Sequence, residues 1–321
     1  MINRKLSIAP MMRHTDRHFR YMFRKMTQYT LLYTEMITAM ALKHGDRKRF
    51  LMKSDGENPV VAQIGGDNPE RLAEAAQWVE NAGYDAVNLN IGCPSERVQS
   101  GSFGACLMKE PTLVRDMAHR MREAVDIPVT IKHRIGVDDL DSYAHMAAFV
   151  EKVAESGVTH FSVHARKAWL KGLSPKENRN IPPIRYEEVY QLKEDFPDLW
   201  IEINGEIKTW EEIETHLEYV DAVMIGRAAV ENPKLFLEAD MRLGDADLPK
   251  NRDELIRSWL PYIKEELEKG TKLSAMTCHM MNFYKGEKGG KMWRRALSEA
   301  HHYPSSMDPI FRAAEAIGLE I

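Results

Sequence analysis

The sequence predicts an α/β protein: a (β/α)₈ TIM barrel followed by a small C-terminal all-helical domain. Three observations predict it. Eight short apolar, β-branched runs alternate with helical stretches, none of the strand-to-helix turns reads GxGxxG, and the strand signal stops after Gly244. Strands that alternate with helices form βα units on a parallel sheet, and eight regular units without a dinucleotide fingerprint favour a barrel over a doubly wound sheet.

The strand runs are 6–9, 31–36, 60–64, 86–91, 129–132, 160–163, 200–203 and 222–225. The helices between them are expected over 15–26, 69–81, 111–124, 141–155, 186–195, 209–216 and 233–239. Asn68-Pro69 and Glu110-Pro111 put proline in the first turn, where its missing N–H costs nothing. Gly83 and Gly157 follow the helices that they end. Beyond Gly244 the patterns are helical, over 253–269, 273–283, 291–300 and 309–317. The expected division is a barrel over 1–242, a linker over 243–249 and a helical domain over 250–321.

Composition sets the class. In 321 residues, 44% are hydrophobic, 29% are charged and three are cysteine, which excludes a disordered, collagen-like or disulfide-scaffold protein. No apolar run is long enough to span a membrane. The start is arginine-rich, but it lacks the apolar stretch of a secretory signal, and its run 7–11 reads as a strand rather than a removable leader. Three unpaired thiols fit a reducing, cytoplasmic location. The formal charge of −4 hides a polarity: residues 1–53 carry +9, residues 54–249 carry −15 and residues 250–321 carry +2. Binding a polyanion takes a basic face, not a basic total.

Barrel enzymes place their chemistry at the C-terminal strand ends. Those ends carry Pro10 and Met11, Gln63, Asn88 and Asn90, Lys132 to Arg134, His164 and Arg166, Asn204-Gly205, and Gly226-Arg227. After strands seven and eight, Asn204-Gly205 and Gly226-Arg227 occupy the usual phosphate position of the fold: glycine lets backbone N–H groups approach an anion and Arg227 adds charge. Gln63, Lys132 and His164 then sit where a ring attached to that phosphate would lie, which makes FMN the economical ligand. A phosphosugar with Lys132 as Schiff-base nucleophile is the alternative. His133 and His164 lack a third ligand, so no metal is expected. Cys93 lies on a Gly-Cys-Pro turn at this mouth. An ordinary thiol is mostly protonated at neutral pH, so Cys93 reads first as a general acid and second as a nucleophile. Cys106 and Cys278 read as small buried hydrophobes.

The run from Asn88 to Ser95, NLNIGCPS, together with Gln63, Lys132-His133-Arg134, His164-Ala165-Arg166, Asn204-Gly205 and Gly226-Arg227, resembles the tRNA-dihydrouridine synthases over essentially the whole chain. The loop Gly172 to Arg179, GLSPKENR, with Ile181-Pro182-Pro183, resembles the DusA subfamily within them, the branch that acts on uridines 20 and 20a of the tRNA D-loop. The resemblance implies that NADPH reduces a bound FMN, that the flavin delivers hydride to C6 of the uracil, and that Cys93 protonates C5. It implies that Pro10, Met11, Gln63, Lys132, His164, Asn204, Gly205, Gly226 and Arg227 hold FMN. It places Asn90, Lys176, Arg179, Lys291 and Arg294 on the tRNA, with Arg134 as a further candidate. Glu206 departs from the family's more common aspartate. Extrusion of the base from folded RNA needs a basic grip, and Lys285, Lys288, Lys291, Arg294 and Arg295 offer one, with the basic helix around Arg13, Arg17, Arg20 and Arg24 as a further candidate. A monomer is expected, because the basic faces are needed for RNA. The competing readings are an FMN barrel reductase of a free pyrimidine or enone, and an RNA-binding module without cofactor.

Overall fold

The computed structural model describes residues 2–321, apart from the side chain of Arg97. Nine strands form one parallel sheet: β1 (Leu6–Ile8), β2 (Leu32–Tyr33), β3 (Ile37–Thr38), β4 (Val60–Gly65), β5 (Ala86–Ile91), β6 (Val129–Arg134), β7 (His160–His164), β8 (Trp200–Asn204) and β9 (Ala222–Ile225). The order is β1-β9-β8-β7-β6-β5-β4-β2, with β3 also on β4. A Ser7–Leu31 bridge closes the ring: Ile8 N–H donates to the Leu31 carbonyl at 2.9 Å and Leu31 N–H to that of Leu6 at 3.0 Å. The expected barrel is what the chain forms. β4, β5 and β9 are buried along their whole length, which is why they read as continuous apolar runs.

The second barrel position departs from the expected single strand. β2 pairs with Val60 and Val61, whereas β3 pairs with Ile64 and Gly65. Between them the Thr34 hydroxyl accepts the Gln63 N–H at 3.0 Å and donates to the Glu35 carbonyl at 2.7 Å, so a side chain replaces one rung of the ladder. Outside the strands, Asn68 caps Pro69–Asn81 by accepting from Arg71 N–H, and Thr209 with Glu212 forms a capping box at the head of Trp210–Leu217. The pattern did not reveal the helices Ala39–His44 and Arg47–Phe50.

Two compact units result, one made of residues up to Met12, Leu31–Lys53 and Asn58–Gly226, the other of Arg13–Thr30, Ser54–Glu57 and Arg227–Ile321. The first is the barrel. The helix Arg17–Met26, which precedes β2 in sequence, clusters instead with the C-terminal helices Arg252–Glu268, Gly290–Ser298 and Asp308–Glu315. Phe19 and Phe23 stack on each other there, Phe23 meets Phe236 and Phe19 meets His279. Arg17 pairs with Glu266. Arg20 pairs with buried Glu57 at 2.8 Å, and Arg24 donates to the carbonyls of Glu57, Thr27 and Thr30. Arg20 and Arg24 are buried; they hold the unit together and offer nothing to RNA.

Two helical expectations change. The run 233–239 is a 3₁₀ stretch, Pro233–Glu238, that leads into the helix Ala239–Leu243. The run 273–283 is helical only over Ser274–Thr277, because the Trp293 indole takes the Met280 carbonyl at 3.0 Å and Asn282 reaches back to the Val230 carbonyl at 2.8 Å. Cys278 is exposed and Cys106 half-buried, neither being a core residue.

Candidate active site

The mouth is built on a chain of amides that runs across β4, β5 and β6. The amide of Asn88 donates to the Thr130 hydroxyl at 2.8 Å, Gln63 donates to the Asn88 carbonyl oxygen at 2.8 Å, and Asn90 donates to that of Gln63 at 2.8 Å. Asn90 Oδ1 in turn accepts the backbone N–H groups of Gly92 and Cys93, at 3.1 and 3.0 Å. Strand register makes this possible, since Gln63 faces Asn88 and Asn88 faces Thr130 on neighbouring strands. Every link donates in the same sense, so the turn that carries Cys93 hangs from the barrel in one orientation. Cys93 is half-buried, with its sulfur 3.6 Å from the Ser95 hydroxyl, and its carbonyl accepts Ala105 N–H at 2.9 Å.

Lys132, opposite Asn90 in register, donates to Asn204 Oδ1 at 3.1 Å. Burial pushes its ammonium down to about 8, Arg134 adds to the effect, and Glu202 and Cys93 oppose it. Asn204 donates to the Met224 carbonyl at 2.8 Å, which ties β8 to β9. Gly205 turns the chain with φ 139°; a Cβ there would come within 3.2 Å of the His164 ring, so its hydrogen lets the imidazole pack close. A Cβ on Gly226 would meet only open space. Pro10 and Met11 follow β1, and Met11 packs on the core around Ala9 and Met224. Arg227 opens the second unit, before the short helix Ala228–Glu231. Glu206, the departure noted above, accepts from Arg166 at 2.6 Å.

Lys176 and Arg179 are exposed on the loop after β7. Asn178, between them, is fully buried: it accepts Trp169 N–H at 2.7 Å and donates to the carbonyls of Trp169 and Leu173. Arg134, buried, gives its Nε to the Gly92 carbonyl at 2.9 Å and Nη1 to those of Lys167 and Asn178, at 3.0 and 3.1 Å. It thus clamps the Cys93 turn to the Lys176 loop. Burial, chiefly, lowers its guanidinium to about 10. Lys291 and Arg294 are exposed on Gly290–Ser298 of the second unit.

A family model described as dihydrouridine synthase (Dus) matches residues 7–314. The chain belongs to the dihydrouridine synthase family. Within that family it is 57% identical to the tRNA-dihydrouridine(20/20a) synthase of Synechocystis, over 92% of this chain and 89% of that one. It is 51% identical to the protein of the same name from Vibrio cholerae, over 94% and 93%, and 49% identical to that from Escherichia coli O6:H1, over 93% and 90%. A solved complex of 2-naphthoyl-CoA reductase with 2-naphthoyl-CoA superimposes with a TM-score of 0.55 at 11% identity, over 75% of this chain and half of that one, and shares the barrel alone.

Of the residues singled out in the sequence, this dihydrouridine synthase family member joins Gln63, Asn90 and Cys93 in one hydrogen-bonded chain, joins Lys132, in register with Asn90, to Asn204, and sets His164 against Gly205. Sequence reasoning missed Thr130, Asn178 and Glu202. Each is a polar residue that the fold buries, and a polar residue at an inward-facing position of an apolar strand is the signal that could have found Thr130 and Glu202. No helix among the described residues is long and apolar enough to cross a membrane.

Proposed function

We propose that this chain is a tRNA-dihydrouridine(20/20a) synthase, which reduces the C5=C6 bond of uridines 20 and 20a in the tRNA D-loop with FMN as bound cofactor and NADPH as reductant. The observation that carries the reading is 57% identity to the Synechocystis protein of that name along nearly the whole chain.

The residues of the mouth fit a flavin. Lys132 is a desolvated ammonium whose hydrogen-bond partner is an amide oxygen and, among the described residues, no carboxylate forms a salt bridge with it; a ring edge that gathers negative charge would satisfy it. Gln63 uses one amide hydrogen within the chain of amides and has another for the ring, while Pro10 and Met11 would line its face. His164, Asn204, Gly205, Gly226 and Arg227 would take the ribityl and phosphate end, where open space at Gly226 leaves backbone approachable.

The flavin, when bound, supplies the hydride that C6 accepts. Cys93 would then deliver the thiol proton to C5, from the face of the base opposite the flavin. Asn90 orients both partners of that step: its carbonyl oxygen holds the Cys93 backbone, and its remaining amide hydrogen is free for the target nucleotide. Lys176, Arg179, Lys291 and Arg294 would grip the tRNA backbone while the base is turned out of its stack.

Absorption spectroscopy tests the reading. The purified protein should carry a flavin band that NADPH bleaches and D-loop-unmodified tRNA restores under anaerobic conditions. A flavin that bleaches but ignores tRNA would mean a reductase of a free pyrimidine or enone, and no flavin after reconstitution with FMN would refute the cofactor assignment.

A further inference from the structure

Beneath the mouth lies a carboxylate that the reaction as described does not use. Lys132 on β6 registers with Ser162 on β7, and Ser162 with Glu202 on β8, so an ammonium, a hydroxyl and a carboxylate share one row across three strands. Both Glu202 oxygens accept hydroxyl hydrogens, Oε1 from Ser7 at 2.5 Å and Oε2 from Ser162. Tyr33, buried, bonds Ser162 in turn. Burial, chiefly, raises the affinity of Glu202 for a proton above its ordinary value, and the two serines and Lys132 offset only part of that. Lys132 donates to Asn204, two residues further along β8 from this carboxyl group, and Arg134 and Cys93 are the other charged or ionisable groups that act on it.

We propose that Glu202 is a positioning residue for the reduction: from one layer below the mouth, its buried carboxylate holds Lys132 protonated beside Asn204, acting through charge without direct contact. An ammonium taken out of water loses its proton readily unless an opposite charge remains near. Ser7 and Ser162 favour the ionised form of that opposite charge in the barrel interior, where burial favours the protonated one. The consequence for catalysis rests on the flavin reading of the mouth, whereas the link between Glu202 and Lys132 does not.

Glu202→Gln keeps the size of the side chain, with one acceptor oxygen exchanged for an amide donor to a serine hydroxyl. In the apoprotein, with the lysine side chains isotope-labelled and Lys132 assigned through Lys132→Met, NMR titration of Lys132 should fall by about one pH unit or more in Glu202→Gln, the size expected on losing a nearby opposite charge. In the FMN-loaded protein, the pH at which the flavin midpoint potential changes slope should fall by the same amount. That break should be absent from Lys132→Met, and adding Glu202→Gln to Lys132→Met should change nothing further. A Lys132 titration that does not move overturns the proposal. So does an effect on the potential that persists in full without Lys132, which would leave Glu202 as a strand cross-link. Should Glu202→Gln not fold, the reciprocal measurement decides: Lys132→Met must raise the titration of the Glu202 carboxyl carbon by the same amount, and no movement refutes the link. A chain that binds no FMN would refute the flavin reading, with the apoprotein titration still decisive for Glu202.

Discussion

Cys93 and His279 show how two residues of one chain are prepared for different work. Cys93 hangs from Asn90 by its backbone, so the turn is held independently of the sulfur, which lies beside the Ser95 hydroxyl. Cys93→Ala should therefore leave the flavin spectrum and its bleaching by NADPH intact while dihydrouridine formation, followed by mass spectrometry of the tRNA, nearly stops; substantial turnover would remove Cys93 from the proton-donor role. His279 has a structural task. Burial opposes charge on its imidazole, but Asp16, at 3.0 Å, with a smaller contribution from Cys278, lifts it to about 9, while the Asp16 carboxyl is itself held below its ordinary range. A histidine raised from about 6.5 to about 9 lends its full stabilisation below pH 6.5 and loses it as the pH climbs through 9. Asp16→Asn, which retains an N-cap side chain, should cost about 2 kcal/mol near neutral pH and flatten the decline in stability between pH 7 and 9.5 in denaturant titrations. An unchanged pH profile would show that the pair does not titrate in this way.

At the scale of elements, the loop after β7 is as built as any helix. Asn178 closes it from within, and Arg134 joins it to the turn that carries Cys93. Asn178→Ala leaves buried carbonyl groups unpaired, and the exposed Lys176 and Arg179 lose their support. KM for tRNA should rise about tenfold with NADPH-driven flavin bleaching unaffected, which steady-state and half-reaction kinetics would separate; a slower bleaching step would assign the loop to the flavin instead. The motifs were legible because they sit where a strand must stop: glycine, proline and amides punctuate the apolar runs at Asn90, Cys93, Asn204 and Gly226, and the turns need them locally. What was not legible depends on partners far along the chain. Glu202 lies in the run WIEIN at the same alternation as Asn204, yet its role needs Ser7, 195 positions away, and Ser162, 40 positions away. Thr34 interrupts the second strand only because Gln63 supplies the N–H that its hydroxyl accepts. The arginines of Arg17–Met26 read as a basic surface, and what buries Arg20 is Glu57.

For the whole molecule, charge has to be counted after folding. Part of the +9 of residues 1–53 is spent internally at Arg17, Arg20 and Arg24, so the outward basic groups are fewer than the sequence suggests. Lys291 and Arg294 remain outward. Arg294→Ala should weaken tRNA binding at low salt and reduce the slope of log affinity against log salt by about one, with flavin bleaching by NADPH unchanged. An unaltered slope in filter binding would take Arg294 off the RNA. The interleaving of the two units bears on how the protein is made. The helix Arg17–Met26 precedes β2 to β9 in the chain, yet Phe23 waits for Phe236 and Phe19 for His279, both beyond the last strand. Throughout synthesis of the barrel, an apolar helix face and Arg17, whose partner is Glu266, wait for the C-terminal helices, a natural target for a chaperone. A C-terminal fragment that starts at Arg227 would lack that helix altogether, so the second unit cannot be detached, grafted or expressed as a module by a single cut in the gene.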